Sequence, residues 1–247
     1  MMNPKVLAVI PARGGSKGIQ KKNIRLFNGI SLLEHAITVA QHSPSISRTI
    51  VSTDDAETSD IARKAGAEVP FLRPSEFAGD ASNVADAVVH LLTELKKSEG
   101  YEPDYVVLLQ PTNPMRTSDD VEKALSLIQK RDADSLVSIY KTSEPLILTK
   151  DPEDTLTLIN EGLFSNPNRQ QMPSYYRLDG CMLFIVKTRA LLEKRSFFTG
   201  KIVGYEIERW RAIDIDEPQD FVLGELVHAN RDDIAQKIAN FSNSPRI

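Results

Sequence analysis

The sequence predicts an α/β protein with a mostly parallel central sheet and helices on both faces. Two patterns predict it. Short apolar runs at 6–10, 49–52, 105–110 and 135–140 alternate with longer stretches whose apolar residues recur at i, i+3, i+4 and i+7. Apolar strands separated by amphipathic helices are what a parallel sheet covered on both sides requires. The first run also empties into Pro11-Ala12-Arg13-Gly14-Gly15-Ser16-Lys17-Gly18, a glycine-rich basic loop of the kind found at the end of the first strand of such sheets. At 247 residues, 41% hydrophobic and 26% charged, the chain can bury a full core, as one domain or as one domain with a substantial insertion.

The elements follow in order. The strand at 6–10 precedes a helix whose stripe is Leu33, Ala36, Ile37 and Ala40. A strand is expected at 49–52, and His90 falls in a later helical pattern as a packed or capping residue. The strand at 105–110 leads through Thr117-Ser118-Asp119-Asp120, a helix cap, into a stripe of Val121, Ala124, Leu125 and Ile128. After the strand at 135–140 the rhythm breaks: over 141–177 periodicity is lost and prolines recur at 145, 152, 167 and 173. A structureless stretch of that length is unusual inside a compact domain, so it reads as an arm that packs on a partner subunit. Strands are expected again at 181–186, 202–207 and 212–215, with the C-terminal helix starting near Pro218. The chain thus divides into a nucleotide-binding core (1–140), a dimerisation arm (141–177) and a return to the core with the metal-binding strand and C-terminal helix (178–247).

Composition excludes several classes of function. A net charge of −4 argues against a general nucleic-acid binder. Cys181 is the only cysteine, so there is no disulfide framework and no cysteine-rich zinc site, and the four histidines lack ligand spacing. No apolar run approaches a membrane span and the N-terminus lacks a signal-peptide layout, so a cytoplasmic enzyme is expected.

Two features carry chemistry. The loop from Ala12 to Gly18, with Lys21, Lys22 and Asn23 close behind, brings backbone N–H groups and cations to one place, as phosphate binding requires. It is neither G-x-x-x-x-G-K-[ST] nor G-x-G-x-x-G. In Ala212-Ile213-Asp214-Ile215-Asp216-Glu217-Pro218 a strand would place Asp214 and Asp216 on one face. Two neighbouring carboxylates suit Mg²⁺, which takes one or two and completes its shell with water and substrate phosphates. A structural alternative is that Asp216 caps the next helix, with Gln219 completing a capping box. A third segment, Leu108 to Thr117, ends a strand at Gln110, where ligands of open parallel sheets bind.

The pattern A-R-G-G-S-K-G-x-x-x-K-N resembles the first motif of the CMP-sialic acid synthetase family. The family also carries L-L-Q-P-T-S-P-x-R-T, here 108–117; V-S-T-D, here 51–54; R-P-x-x-x-x-x-D, here 73–80; R-Q-x-x-P, here 169–173; and D-I-D, here 214–216. The resemblance implies a Rossmann-like nucleotidyltransferase fold and a homodimer, with a tetramer left open. Its implied reaction is the CTP- and Mg²⁺-dependent activation of a nine-carbon 2-keto sugar acid to its CMP derivative. It further implies that Arg13, Ser16, Lys17 and Lys22 hold the phosphates, with Ala12, Gly14 and Gly15 forming the loop and Asn23 and Arg73 helping at the nucleotide. Ser82 and Asn83 would line the base, ribose or sugar side. Gln110 would contact the acidic sugar, Arg169, Gln170 and Arg177 its carboxylate or the released phosphates across a dimer, and Asp214 and Asp216 the metal. The chain departs from the family's R-x-N-G-A-I-Y segment at Asp179 and Leu183, which leaves N-acetylneuraminate, legionaminate and a deaminated analogue open. The competing readings are a 3-deoxy-manno-octulosonate cytidylyltransferase, whose first motif resembles S-T-R-L-P-G-K instead, and a non-catalytic nucleotide-binding protein.

Overall fold

The computed structural model describes residues 4–15, 18–79, 82–142, 148–150, 152, 154–158, 174–178, 180 and 182–243. The first strand, β1 (Val6–Pro11), pairs in parallel with β4 (Arg48–Ser52) on one side and β5 (Tyr105–Leu108) on the other. Between β1 and β4 lie a two-stranded hairpin, β2 (Leu26–Phe27) and β3 (Ile30–Ser31), and helix α1 (Leu32–Gln41). Helices α2 (Ala56–Lys64) and α3 (Val84–Glu99) connect β4 to β5. Helix α4 (Ser118–Lys130) then leads to β6 (Ser135–Thr142), which runs parallel to β11 (Ile202–Glu206). Between β5 and β6 sits β10 (Phe184–Lys187), antiparallel to both, followed by α5 (Thr188–Lys194). The sheet order is β11-β6-β10-β5-β1-β4.

Strand alternation divides the core in two. Val6, Ala8, Ile10, Val107, Leu109 and Ile185 face the cluster that contains Leu33 and Ile37 of α1 and Val121, Leu125 and Ile128 of α4. Leu7, Val9, Val106, Leu108 and Val186 face Val88, Leu92 and Leu95 of α3 and Leu191 of α5. This is the double-sided burial that the apolar runs predicted. Thr117 caps α4 in a capping box with Asp120, as its position suggested. His90 is packed, its ring 4.8 Å from that of Phe77 and 5.7 Å from that of Phe71.

Three expectations are corrected. Residues 212–215 form no strand; the segment is irregular and pairs in no sheet, running from a 3-10 turn at Arg209–Arg211 to α6 (Pro218–Ala229). Asp216 does not cap α6: the cap is Glu217, and the Asp220 carboxylate, not Gln219, accepts from the backbone N–H groups of Glu217 and Asp216 at 2.8 and 3.1 Å. Regular structure persists among the described residues of 141–177. There β6 continues to Thr142, β7 (Leu148–Lys150) and β8 (Leu156–Leu158) form a hairpin, and β9 (Tyr175–Leu178) returns antiparallel to β6. A second C-terminal helix, α7 (Arg231–Asn243), follows α6.

A small third core fixes what the sheet does not. Phe27 and Leu32, from the hairpin and the start of α1, pack with Ile19, Ile215 and Phe221. It ties the loop after β1 to the segment before α6, although about two hundred residues of chain separate them.

Candidate active site

A cavity of about 560 Å³ opens at the carboxyl edge of β1 and β5, lined by Pro11, Arg13, Gly18, Lys22, Asn23, Arg73, Phe77, Gly79, Ser82, Val84, Gln110, Pro111, Thr112, Asp214, Asp216 and Glu217. Each contributing loop is where the strand order sends it. Chains leaving β1, β4 and β5 in parallel emerge on the same edge, so the basic loop, the Thr53–Asp54 region and the 109–117 loop become neighbours.

The loop after β1 is shaped from within. Ala12 is buried and its N–H donates to the Ser52 carbonyl at 3.0 Å, while the Gly14 N–H donates to Asp54 Oδ1 at 3.0 Å. Asn23 donates its carboxamide N–H to the Arg13 carbonyl at 3.1 Å, so one side of that side chain is committed to holding the loop closed. Lys22 reaches across the cavity, donating to the Ile215 carbonyl and to Asp216 Oδ1, both at 2.7 Å. Gly18 lies against the backbone carbonyl of Asp216, closer than any Cβ would allow. The basic loop and the acidic segment are thus in direct contact.

Arg73 is 8% exposed and comes from the turn before Ser75–Phe77. Its guanidinium donates to the hydroxyl and carbonyl of Ser52 at 3.0 and 2.5 Å and to the Phe77 carbonyl at 3.4 Å. Burial pulls its pKa below the ordinary arginine value while Asp54 pushes it back up, and a guanidinium stays charged under both. Ser82 donates to the Glu76 carbonyl at 3.1 Å. On the other wall, the Gln110 carbonyl accepts from Arg116, which is 4% exposed and also donates to the Met182 carbonyl. Asp214 Oδ1 is fully buried, and its side chain lies on Gly180, whose φ of +81° and missing Cβ leave the room it needs.

Of the residues expected at the site from sequence, the cavity gathers Arg13, Lys22, Asn23, Arg73, Ser82, Gln110, Asp214 and Asp216. Asn83 is elsewhere occupied: its side-chain oxygen caps α3, accepting from the Ala85 N–H at 2.9 Å. Ala12, Gly14 and Gly15 form the loop but not the wall. Arg177 is exposed on β9 and is not brought to the cavity within one chain. Ser16, Lys17, Arg169, Gln170 and Asp179 lie outside the described residues. Leu183, expected beside the sugar, is fully buried in the core with its N–H donating to the Ser138 hydroxyl at 2.8 Å. Sequence reasoning missed Phe77, Gly79, Val84, Thr112 and Glu217. Thr112 could have been found as the neighbour of Gln110, but Phe77 and Gly79 carry no chemical signal and reach the wall only through the turn after Arg73.

Residues 7–204 match the family model described as cytidylyltransferase. The chain belongs to the cytidylyltransferase family. Among curated relatives of this cytidylyltransferase, a CMP-N,N'-diacetyllegionaminic acid synthase of Legionella pneumophila is 33% identical over 92% of the chain and 98% of its own length. An N-acylneuraminate cytidylyltransferase of Escherichia coli O18:K1:H7 is 30% identical over 99% of the chain, which spans 58% of that longer protein. A CMP-2-keto-3-deoxy-manno-octonic acid synthetase complexed with CTP shares the fold, with a TM-score of 0.68 at 15% identity over 92% of the chain and 99% of its own. No helix among the described residues is long and apolar enough to cross a membrane.

Proposed function

We propose that the enzyme transfers the cytidylyl group of CTP to the anomeric hydroxyl of a nine-carbon 2-keto sugar acid, N-acetylneuraminate or a relative such as legionaminate, releasing pyrophosphate. The observation that carries this reading is the meeting of Arg13 and Lys22, Gln110, and Asp214 and Asp216 around one cavity. Cations beside two carboxylates that can take a divalent metal suit a triphosphate. The names of the Legionella and Escherichia coli relatives support the choice of nucleotide and of acid class.

In this reading Arg13 and Lys22, joined by Ser16 and Lys17, hold the triphosphate and stabilise the departing pyrophosphate. The backbone at Gly14 and Gly15 closes on the phosphates. Gln110 orients the sugar acid so that its hydroxyl faces the α-phosphate for in-line displacement, which needs positioning and charge neutralisation but no protein nucleophile. Asp214 and Asp216 fit a magnesium ion: two hard oxygen donors share the cavity wall, and the Lys22 ammonium on Asp216 marks a place already suited to positive charge. The chemistry a bound magnesium supplies there is charge neutralisation on the phosphate oxygens and a lowered pKa for the attacking hydroxyl.

The segment 141–177, which leaves the sheet at β6 and returns at β9, is proposed as the contact between two copies of the chain. Arg169 and Arg177 would then reach the neighbouring site and meet the sugar carboxylate.

The test is pyrophosphate release with CTP and Mg²⁺ against N-acetylneuraminate, its deaminated form, legionaminate, pseudaminate and 3-deoxy-manno-octulosonate. Turnover preferring one nine-carbon acid is expected, and Asp214→Asn should abolish it while leaving the melting curve intact. Preference for the eight-carbon acid, or normal turnover by Asp214→Asn, overturns the assignment.

A further inference from the structure

We infer that Asn113 is a positioning residue for the Asp214 carboxylate, an inference that rests on the nucleotidyl-transfer reading of the site. Asn113 sits in the loop after β5, is 2% exposed and does not line the cavity. Its carboxamide N–H donates to the Ile213 carbonyl at 2.9 Å. One residue earlier, the Thr112 carbonyl accepts from the Ile215 N–H, also at 2.9 Å. These two bonds fall on either side of Asp214, pinning the residues before and after it to the β5 loop.

The pinning matters because 212–216 belongs to no sheet. A strand would fix Asp214 through ladder bonds to its neighbours. Here the backbone is held by the Thr112 and Asn113 bonds on one side and by Lys22, donating to the Ile215 carbonyl, on the other. Of these, Asn113 supplies the one side-chain bond from outside the cavity, so it does not compete with a ligand. Its own oxygen points the same way. Asn113 Oδ1 is buried and has no hydrogen-bond partner among the described residues. A buried amide with an unpaired oxygen is unfavourable compared with an apolar side chain of the same size. What the carboxamide does in the structure is donate, and that donor goes to the residue preceding Asp214.

The same geometry separates Asn113 from the surrounding scaffold. Arg211, which starts the segment, is ion-paired to Asp120 and donates to the Met115 carbonyl at 3.1 Å, so the chain entering 212–216 is anchored without Asn113. Ile215 is fixed by its packing in the third core. Losing the Asn113 donor therefore leaves the segment docked and loosens it at residues 213–214.

The experiment compares wild type, Asn113→Leu, which keeps the side-chain volume and removes the donor, Asn113→Ala, which removes the carboxamide altogether, and Asp214→Asn. Steady-state pyrophosphate release gives kcat, KM for CTP and the half-activating Mg²⁺ concentration. Electron paramagnetic resonance gives Mn²⁺ binding to the free protein without substrates, and circular dichroism gives the folded fraction. Partners that orient metal ligands typically change metal affinity or activity by ~10–100-fold when removed. Both Asn113 variants should therefore lose at least about tenfold in kcat and in Mn²⁺ affinity, with KM for CTP within about twofold of wild type and the fold intact. Wild-type kcat and Mn²⁺ affinity in Asn113→Leu overturns the inference, as does a loss of kcat matched by an equal loss of folded protein. If Asp214→Asn binds Mn²⁺ and turns over like wild type, the reading of the site has failed and the brace falls with it. If Asp214→Asn fails while both Asn113 variants are normal, the brace alone is wrong.

Discussion

Replacing Gly18 by alanine should cripple the enzyme without unfolding it. A methyl at Gly18 would overlap the backbone carbonyl oxygen of Asp216 and press on Glu217 Oε1 at 3.4 Å. The obstacle is backbone, so no side-chain rotation relieves it. Ordinary van der Waals separation requires the basic loop and the acidic segment to part by on the order of 1 Å. Lys22 spans that gap with two 2.7 Å bonds, to the Ile215 carbonyl and Asp216 Oδ1. A displacement of about 1 Å takes both beyond hydrogen-bond range. It also moves Asp216 relative to Arg13, and misplacements of about 1 Å can cost about a hundredfold in rate. We expect kcat/KM to fall about a hundredfold, equivalent to about 2.7 kcal/mol of transition-state stabilisation. The melting temperature should change by only a few degrees, because Ile215, Phe221 and Phe27 still hold the segment from behind. Initial rates of pyrophosphate release over a range of CTP and sugar-acid concentrations, with a thermal melt on the same preparation, measure both. A Gly18→Ala enzyme within threefold of wild type would refute the claim that this contact sets the site's dimensions.

Two further predictions test other parts of the molecule. Leu183→Tyr restores the aromatic residue of the family pattern, but Leu183 is fully buried beside Ile185 and Leu136. The larger side chain should overpack the core, costing about 1–3 kcal/mol in denaturant unfolding, and leave the ranking of sugar acids unchanged; a switched sugar preference with unaltered stability would contradict the placement. His228 packs edge-on to Phe27 and His35 with ring centroids at 5.3 and 5.0 Å, and its Nδ1 lies 3.2 Å from the Asn28 amide nitrogen. Burial, then the nearby His35 and Arg231, push its pKa down to about 4 from an ordinary 6.5, and burial lowers His35 too. The unfolded chain therefore binds protons that the folded chain refuses, so this part of the stability is present above pH 6.5 and is lost as pH falls towards about 4. His228→Phe keeps the ring contact and should flatten the fall in melting temperature across that window; an unchanged slope would exclude His228 as its source.

Much of the fold was legible in the chain because local patterns there coincide with global ones. Apolar runs at 6–10 and 105–110 are buried on both faces whichever strand lies beside them, so period and composition announce them without a partner. The Thr117 cap of α4 and the Pro218 start of α6 obey rules confined to one helical turn. The segment 212–216 shows where such reasoning stops. Alternating Ile and Asp imitates a half-buried strand, yet its hydrogen bonds go to its own flanking turns at Arg209, Arg211 and Asp220 and to single atoms of Thr112, Asn113 and Lys22 rather than to a neighbouring strand. The outcome for Asp214 and Asp216, one shared cavity wall, arises from those contacts and from the packing of Ile215, not from strand period.

The sequence by itself determined the class of the sheet, the glycine-rich, basic character of the loop after β1 and the identity of the charged groups, because each resides in a short stretch of chain. Only the tertiary structure decided which of them meet. It joined Lys22 to Asp216, recruited Arg73 through Ser52 and Phe77 on a neighbouring turn, and diverted Asn83 to capping α3 and Leu183 to the core. The physical reason is that a cavity wall is made by distances across space. Those distances are set by strand order and by packing around Phe27, Ile215 and Phe221, which no local pattern encodes.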